Sequence, residues 1–227
     1  MPDININIGQ SGLKQLLRQQ ITNNFLLEKH EVAPLFSLLP AALQRTAICF
    51  LASDNKYYAS DDNTANFNPY HSGQYTIFLY FLSNELYLNR EHTLADKVYF
   101  LNKTLNCLDL FYQIELPEVF FLDHPVGSVL GRAKYGNYFT FQQNCTVGGN
   151  HGIYPHLGEN VRLFAGATVI GNSTLGNNVF VSAGAYIKDQ DIPDNTIVFG
   201  SSPNLTLISK PTEYFLKSSP FKIHREA

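Results

Sequence analysis

The apolar positions along the 227-residue chain follow two different periods, and the change between them divides it. From Leu157 onward an apolar residue returns at every sixth place: Leu157, Leu163, Val169, Leu175, Val181 and Ile187. Four places after each of the first five stands a second, smaller inward candidate: Val161, Ala167, Ser173, Val179 and Ala185. Neither a 3.6-residue helix nor a two-residue strand gives such a beat, so the pattern reads as the hexapeptide signature of a parallel β-helix. Three short strands make each triangular turn, positions i and i+4 point inward, and polar residues and Gly take the corners.

The beat extends upstream. Leu110, Leu116 and Leu122 keep it, and after one extra residue Val129, Tyr135, Phe141 and Val147 keep it again. The i+4 positions here are Ile114, Phe120, Val126, Ala133, Phe139 and Cys145. Four surplus residues then separate Val147 from Leu157, and a surplus in a solenoid has to leave the wall as a loop, here 148–156. Beyond Ile187, Pro193 and Pro203 end the repeat, since Pro removes a pairing donor.

Residues 1–108 show helical spacing instead. Ser11 predicts a cap for a helix carrying Leu13, Leu16, Leu17, Ile21 and Phe25 on its apolar face. An apolar stretch over 33–52 is expected to break at Pro40. A polar loop follows over 53–67, then a helix over 74–87 apolar on nearly all sides and therefore buried. Thr93 predicts the cap of a last helix over 94–107, with Leu94, Val98, Leu101 and Leu105 on one stripe. The expected organisation is α+β: a helical domain over 1–108, a β-helix over 109–208 and a short tail over 209–227.

Composition narrows the function. A hydrophobic content of 44% supports a sizeable core, and a net charge of -3 with a pI near 6.1 leaves no basic excess for nucleic acid. No signal peptide and no apolar run of about 20 residues is evident, so the expectation is a soluble, cytoplasmic protein without a membrane span. Cys49, Cys107 and Cys145 are odd in number and lack paired metal spacing, which reads as buried free thiols. His30, His71, His92 and His224 stand outside the repeat and read as surface or structural residues.

The chemistry has to come from polar residues outside the wall. His124 stands two places after Leu122, beside Asp123, and Asp109 stands fifteen residues earlier, one before Leu110. A spacing close to one turn puts Asp109 and His124 on neighbouring turns near one edge. A carboxylate there can hold an imidazole that takes a proton from an alcohol. Such a pair also occurs as a solvated corner, and Asp109 also reads as the flank of the preceding helix.

Three runs carry a resemblance: Leu122-Asp123-His124-Pro125-Val126-Gly127, Gln143-Asn144-Cys145-Thr146-Val147-Gly148-Gly149, and Ala165-Gly166-Ala167-Thr168-Val169-Ile170-Gly171. Together they resemble the bacterial serine acetyltransferases of the hexapeptide acyltransferase superfamily, whose helical N-terminal half precedes a left-handed β-helix. The resemblance implies that His124 is the general base, that Asp109 orients it, and that Asp123 contacts the amino group of serine. It further implies that Gly148, Gly149, Ala165, Gly166, Ala183 and Gly184 line the groove for acetyl-CoA, and that the chain forms a homotrimer or a dimer of trimers.

Two departures bear on the substrate. The family's loop carries an Arg-His pair before Pro that grips the amino acid's carboxylate, whereas here Ile153-Tyr154 precede Pro155 and no Arg stands in the loop. His151 and His156 are the candidates for the lost imidazole, and spacing does not choose between them. Asn68 stands near where the family has an Asp that contacts serine. The chain ends Arg225-Glu226-Ala227, without the Ile by which relatives dock into cysteine synthase, so no such docking is expected.

The expected activity is acetyl transfer from acetyl-CoA to a hydroxyl of a small-molecule or sugar acceptor, such as a surface polysaccharide precursor, with Tyr135, Tyr138 and Tyr154 suited to a sugar face. Serine O-acetylation is the alternative. A further alternative is a β-helical zinc carbonic anhydrase, because His151 and His156 are five apart and His124 supplies a third imidazole. A silent trimeric scaffold is the reading without chemistry.

Overall fold

A computed structural model of the chain describes residues 3–225, with side chains through 223. Glu226 and Ala227, on which the docking expectation rests, lie outside the described residues, as do Met1, Pro2 and the side chain of His224. The chain forms two compact units, Met1–Gln113 and Ile114–Ala227.

In the first unit, α1 spans Gly9–Asn24 and buries Leu13, Leu17 and Ile21. It begins two residues before Ser11, which therefore caps nothing, and its N-cap Ile8 makes no side-chain bond. The next apolar stretch forms α2 (Val32–Ser37) and α3 (Leu39–Leu51). The break falls at Leu38 rather than at Pro40, because Pro in a first turn lacks only an N–H that has no intrahelical partner. Lys29–Leu51 is the one stretch among the described residues long and apolar enough to cross a membrane, which corrects the expectation of none. Its Leu35, Leu39, Ala42, Leu43, Ala47 and Phe50 are buried within the protein.

The expected loop over 53–67 ends in a strand. Ala65–Phe67 (β2) pairs in parallel with Ile4–Ile6 (β1), whose three-residue lengths gave no periodic signal. Helix α4 (Ser72–Leu88) is buried along nearly its whole length, as its uniform apolarity predicts. Helix α5 (His92–Asn106) starts ahead of Thr93, which is not its cap, and buries Leu94, Val98 and Leu101 while Leu105 is exposed. Cys107 ends α5 in the left-handed region and is exposed, so only Cys49 and Cys145 are buried thiols. The unit also holds a buried ion pair, with Lys97 Nζ 2.6 Å from Glu31 Oε2.

The second unit is a left-handed parallel β-helix of about 5 turns. Its three walls are read from the strand register. The first stacks Leu122, Phe141, Leu163, Val181 and Val198, and the second Leu130, Val147, Val169 and Ile187. The third stacks Tyr135, Leu157, Leu175 and Ile192. From Leu157 to Ile187 every inward residue and every i+4 partner is buried, as the six-residue beat requires.

Upstream the register differs from expectation at one corner. Val129 is 45% exposed and Val126 58%, while Leu130 and Ser128 point inward. The segment from Leu122 to Leu130 is two residues longer than that from Phe141 to Val147, and the next side gives one residue back. A count with a single extra residue therefore lands one place early. Ser128 fills the slot that Cys145, Ala167 and Ala185 fill on later turns, with its hydroxyl donating to Gln142 O at 2.7 Å and accepting from Cys145 N at 3.0 Å.

The corner between the third and first walls is held by an asparagine ladder. Asn160 Nδ2 donates to Asn178 Oδ1 and Asn178 Nδ2 to Asn195 Oδ1, both at 2.9 Å. All three take positive φ, which Asn tolerates better than branched residues. At the far end Thr196–Ser201 turns back antiparallel against Asn204–Ser209. The tail, featureless in sequence, forms α6 (Thr212–Lys217) and buries Phe215 and Phe221 against the outer side of the first wall at Phe180 and Phe121.

Candidate active site

The enlarged corner between the first and second walls carries His124. The two additional residues let the chain bulge there, and His124 takes φ 50, a left-handed conformation uncommon for a non-glycine residue. Its side chain is thrust outward and is 88% exposed. Nε2 lies 3.5 Å from Asp123 Oδ1.

Asp123 is itself held. Its Oδ2 accepts from Gln142 Nε2 at 3.1 Å, and Gln142 Oε1 accepts from the Ala165 N–H at 3.1 Å. One amide thus ties the carboxylate beside the imidazole to the backbone of a later turn. Gln142 was not among the residues singled out from the sequence. It stands one place after inward Phe141 as Asp123 stands one place after Leu122, so stacking these two correctly placed turns was the signal that pointed to it. On the wall side, burial pulls the Arg162 guanidinium below its usual range while the charge of Asp123 opposes the shift, and Arg162 Nη1 donates to Ser218 O.

The same corner on later turns carries the pairs Ala165-Gly166 and Ala183-Gly184, with Gly184 N donating to Ala165 O at 2.9 Å. A Cβ on Gly184 would meet nothing within 4 Å, and one on Gly166 nothing nearer than 3.8 Å. The turn directly after His124 carries Gln143 and Asn144 at this corner, and the two turns beyond it leave a stretch of open backbone at Gly166 and Gly184. Cys145 lies below the surface there, and burial pushes its thiol pKa up, which removes it as a nucleophile.

The remaining candidates fall on the next corner, between the second and third walls. Residues 149–155 leave the wall there as a tight hairpin, one residue shorter at each end than the expected loop because Gly148 and His156 still pair within the walls. Asn150 and Ile153 exchange backbone hydrogen bonds at 2.9 and 3.0 Å, and His151 (φ 49) and Gly152 (φ 79) form its two-residue tip. Asn150 Nδ2 donates to Asp189 Oδ2 at 2.9 Å and fastens the hairpin to a later turn. Gly148 is open, but a Cβ on Gly149 would meet the Tyr154 ring at 2.7 Å, so Gly149 serves loop packing. His156 opens the third wall in register with Lys134 and Thr174.

The structure thus brings His124, Asp123, Ala165, Gly166, Ala183 and Gly184 to one corner and Gly148, Gly149, His151, Tyr154 and His156 to another. Among the described residues no three His, Cys, Asp or Glu side chains gather as a metal site. Asp109 belongs to the first unit, where its Oδ1 accepts from Tyr99 Oη at 2.7 Å and its Oδ2 from Lys103 Nζ at 2.6 Å.

Residues 154–189 match the family model described as bacterial transferase hexapeptide (six repeats). A serine acetyltransferase of Staphylococcus epidermidis is 26% identical over 135 residues, 57% of this chain and 63% of that protein. The chain thus spans somewhat under two thirds of the length of the curated relatives it matches. In fold it is similar to the serine acetyltransferase of Neisseria gonorrhoeae, with a TM-score of 0.69 at 19% identity over 93% of this chain and 83% of that one. A serine acetyltransferase solved in complex with CoA superposes with a TM-score of 0.65 at 16% identity, covering 87% and 84% of the two chains.

Proposed function

We propose that this chain, a serine acetyltransferase-like member of the hexapeptide-repeat acyltransferase superfamily, is an acetyl-CoA-dependent O-acetyltransferase acting in the cytoplasm, with His124 as its general base. The observation that carries the reading is the outward His124 beside a tethered Asp123, on a corner that two later turns, at Ala165-Gly166 and Ala183-Gly184, strip to Ala and Gly. When bound, acetyl-CoA supplies an acetyl thioester. The open track of Gly166 and Gly184 fits an extended arm, because no side chain obstructs close approach of the backbone.

In this reading the exposed imidazole takes the proton of the acceptor hydroxyl as its oxygen becomes nucleophilic. Asp123, fixed by Gln142, favours the imidazolium that forms and is placed to meet a donor on the acceptor. Asp109 is assigned the role of orienting the base by resemblance alone, and Asp109→Asn tests it: an orienting carboxylate predicts a lower kcat with little change in KM.

The loop and His124 stand on different corners of one chain. A homotrimer, in which the loop of one copy approaches the first corner of another, supplies both. The acceptor in this reading is a sugar hydroxyl, favoured by the exposed Tyr154 and by the absence of Arg from the loop. Serine is the second reading, favoured by the names of the curated relatives. Transfer of label from [14C]acetyl-CoA to serine and to nucleotide sugars separates them. Sugar acetylation is the expected result, and efficient turnover of serine would overturn the sugar acceptor.

A further inference from the structure

Sequence reading finds no Arg in the 148–156 loop, yet the structure brings cations to it from one turn earlier. A cavity of about 570 Å³ opens beneath the loop, lined by Tyr154 and His156 and by Arg132 and Lys134 of the preceding turn, with Ser173 and Thr174 at the later one. Lys134 and His156 are register partners on adjacent strands, which puts their side chains roughly 4.8 Å apart at the backbone. Arg132 precedes Lys134 by two residues on the same edge.

Among the described residues neither Arg132 nor Lys134 has a carboxylate within 4.0 Å. The acids on the following turn border the later edge of the cavity and are engaged there by amide N–H groups. Asp189 Oδ1 accepts from Asn172 N and its Oδ2 from Asn150 Nδ2, while Asp191 Oδ1 accepts from Thr174 N. The chain as a whole carries a net charge of -3, so the cluster does not reflect a general basic excess. A lone surface cation contributes little to binding, but a guanidinium fork and an ammonium lining one cavity match an oxyanion by charge-assisted hydrogen bonds, with an imidazole beside them as a further polar contact.

We propose that this cavity holds the anionic group, carboxylate or phosphate, of the acceptor. Calling the ligand the acceptor rests on the acetyltransferase reading; the binding itself does not. An aromatic wall at Tyr154 beside the cations suits a ligand with a flat apolar face and one charged end, as in a uronate or a sugar phosphate.

The test uses the full chain and calorimetry with four probes: glucose, glucuronate, glucose 1-phosphate and serine. At least one anionic probe is expected to bind about tenfold or more tightly than glucose, and the Arg132→Ala/Lys134→Ala variant to lose about tenfold or more of that affinity with acetyl-CoA affinity unchanged. Glucuronate or serine as the preferred probe assigns a carboxylate, and glucose 1-phosphate a phosphate. Equal binding of glucose and every anionic probe, or wild-type affinity in the double variant, overturns the proposal. So does a loss that falls on acetyl-CoA instead, which would make the cavity a site for the phosphates of CoA. Absence of acetyl transfer to any acceptor would defeat the acetyltransferase reading and leave the binding result standing.

Discussion

Two neighbouring corners of the same solenoid do opposite things with their surplus residues. The first corner gains two residues beside Leu122 and uses them to push His124 into a left-handed, outward position, while two later turns are reduced to the Ala165-Gly166 and Ala183-Gly184 pairs. The second gains four residues after Val147, folds them into a tight hairpin and gathers Arg132, Lys134, Tyr154 and His156 around a cavity. The first corner has a proton acceptor, a tethered carboxylate and open backbone on two later turns. The second has the cations and the aromatic ring, and among the described residues neither His151 nor His156 has a carboxylate within 4.0 Å. A regular wall can thus carry different parts of a reaction on different edges, because a bulge at a corner leaves the inward register of later turns intact.

If the first corner holds the base, His124→Ala lowers the rate of acetyl transfer by about 10²–10⁴-fold with an unchanged circular dichroism spectrum, since the exposed side chain packs against nothing the fold requires. Damage within the helical unit behaves in the reverse way. Lys97→Ala leaves Glu31 buried without its cation and destabilises the helical unit by about 3–5 kcal/mol, read by denaturant unfolding, with the kinetics of the folded fraction retained.

That pair also fixes a difference in acid sensitivity. Burial alone would raise the pKa of Glu31, but the Lys97 hydrogen bond, the Glu28 amide and the charges of Lys97 and His30 outweigh it and hold the carboxyl below its ordinary value of 4.5. A depressed folded-state pKa means that its stabilisation is present above 4.5 and is lost as pH falls through the lower folded value. Hydrogen exchange should therefore show the helical unit loosening in that window ahead of the solenoid, whose asparagine ladder carries no charge. Glu31→Gln should remove the pH dependence.

Smaller effects distinguish the corners themselves. Ala183→Tyr places a ring on the open track and is expected to weaken acetyl-CoA binding by about tenfold while leaving binding of anionic probes at the second corner unchanged. Gln142→Leu frees the Asp123 carboxylate and is expected to lower kcat by about threefold to tenfold with little change in the KM for acetyl-CoA, as measured by steady-state kinetics.

Most of the solenoid was legible because a period of six constrains every residue in it. From Leu157 to Ile187 each inward position is where the beat puts it. The misplacement of Val126 and Val129 arose because two inserted residues on one side were balanced by one lost on the next, and a one-dimensional count sees only the net change. The helical unit was legible by element but not by boundary. Ser11 and Thr93 look like caps, yet both helices start before them without a side-chain cap. The small sheet of β1 and β2 was invisible, being too short to show a period and paired across some sixty residues. Of the residues in the proposed site, His124 and the Ala-Gly pairs were singled out from the sequence. Gln142, Arg132 and Lys134 were not, since their roles depend on which turn lies above which.

The separation of the two corners in one chain is the central claim, and chain mixing tests it most directly. His124→Ala chains lack the base, and chains without residues 150–153 lack the hairpin tip while restoring a regular turn length. Each should be inactive alone. Refolded together, they should recover acetyl transfer well above the sum of the separate preparations, because some interfaces then pair an intact first corner with an intact second corner from another copy. A mixture no more active than that sum would contradict the account and place both parts of the site within a single chain.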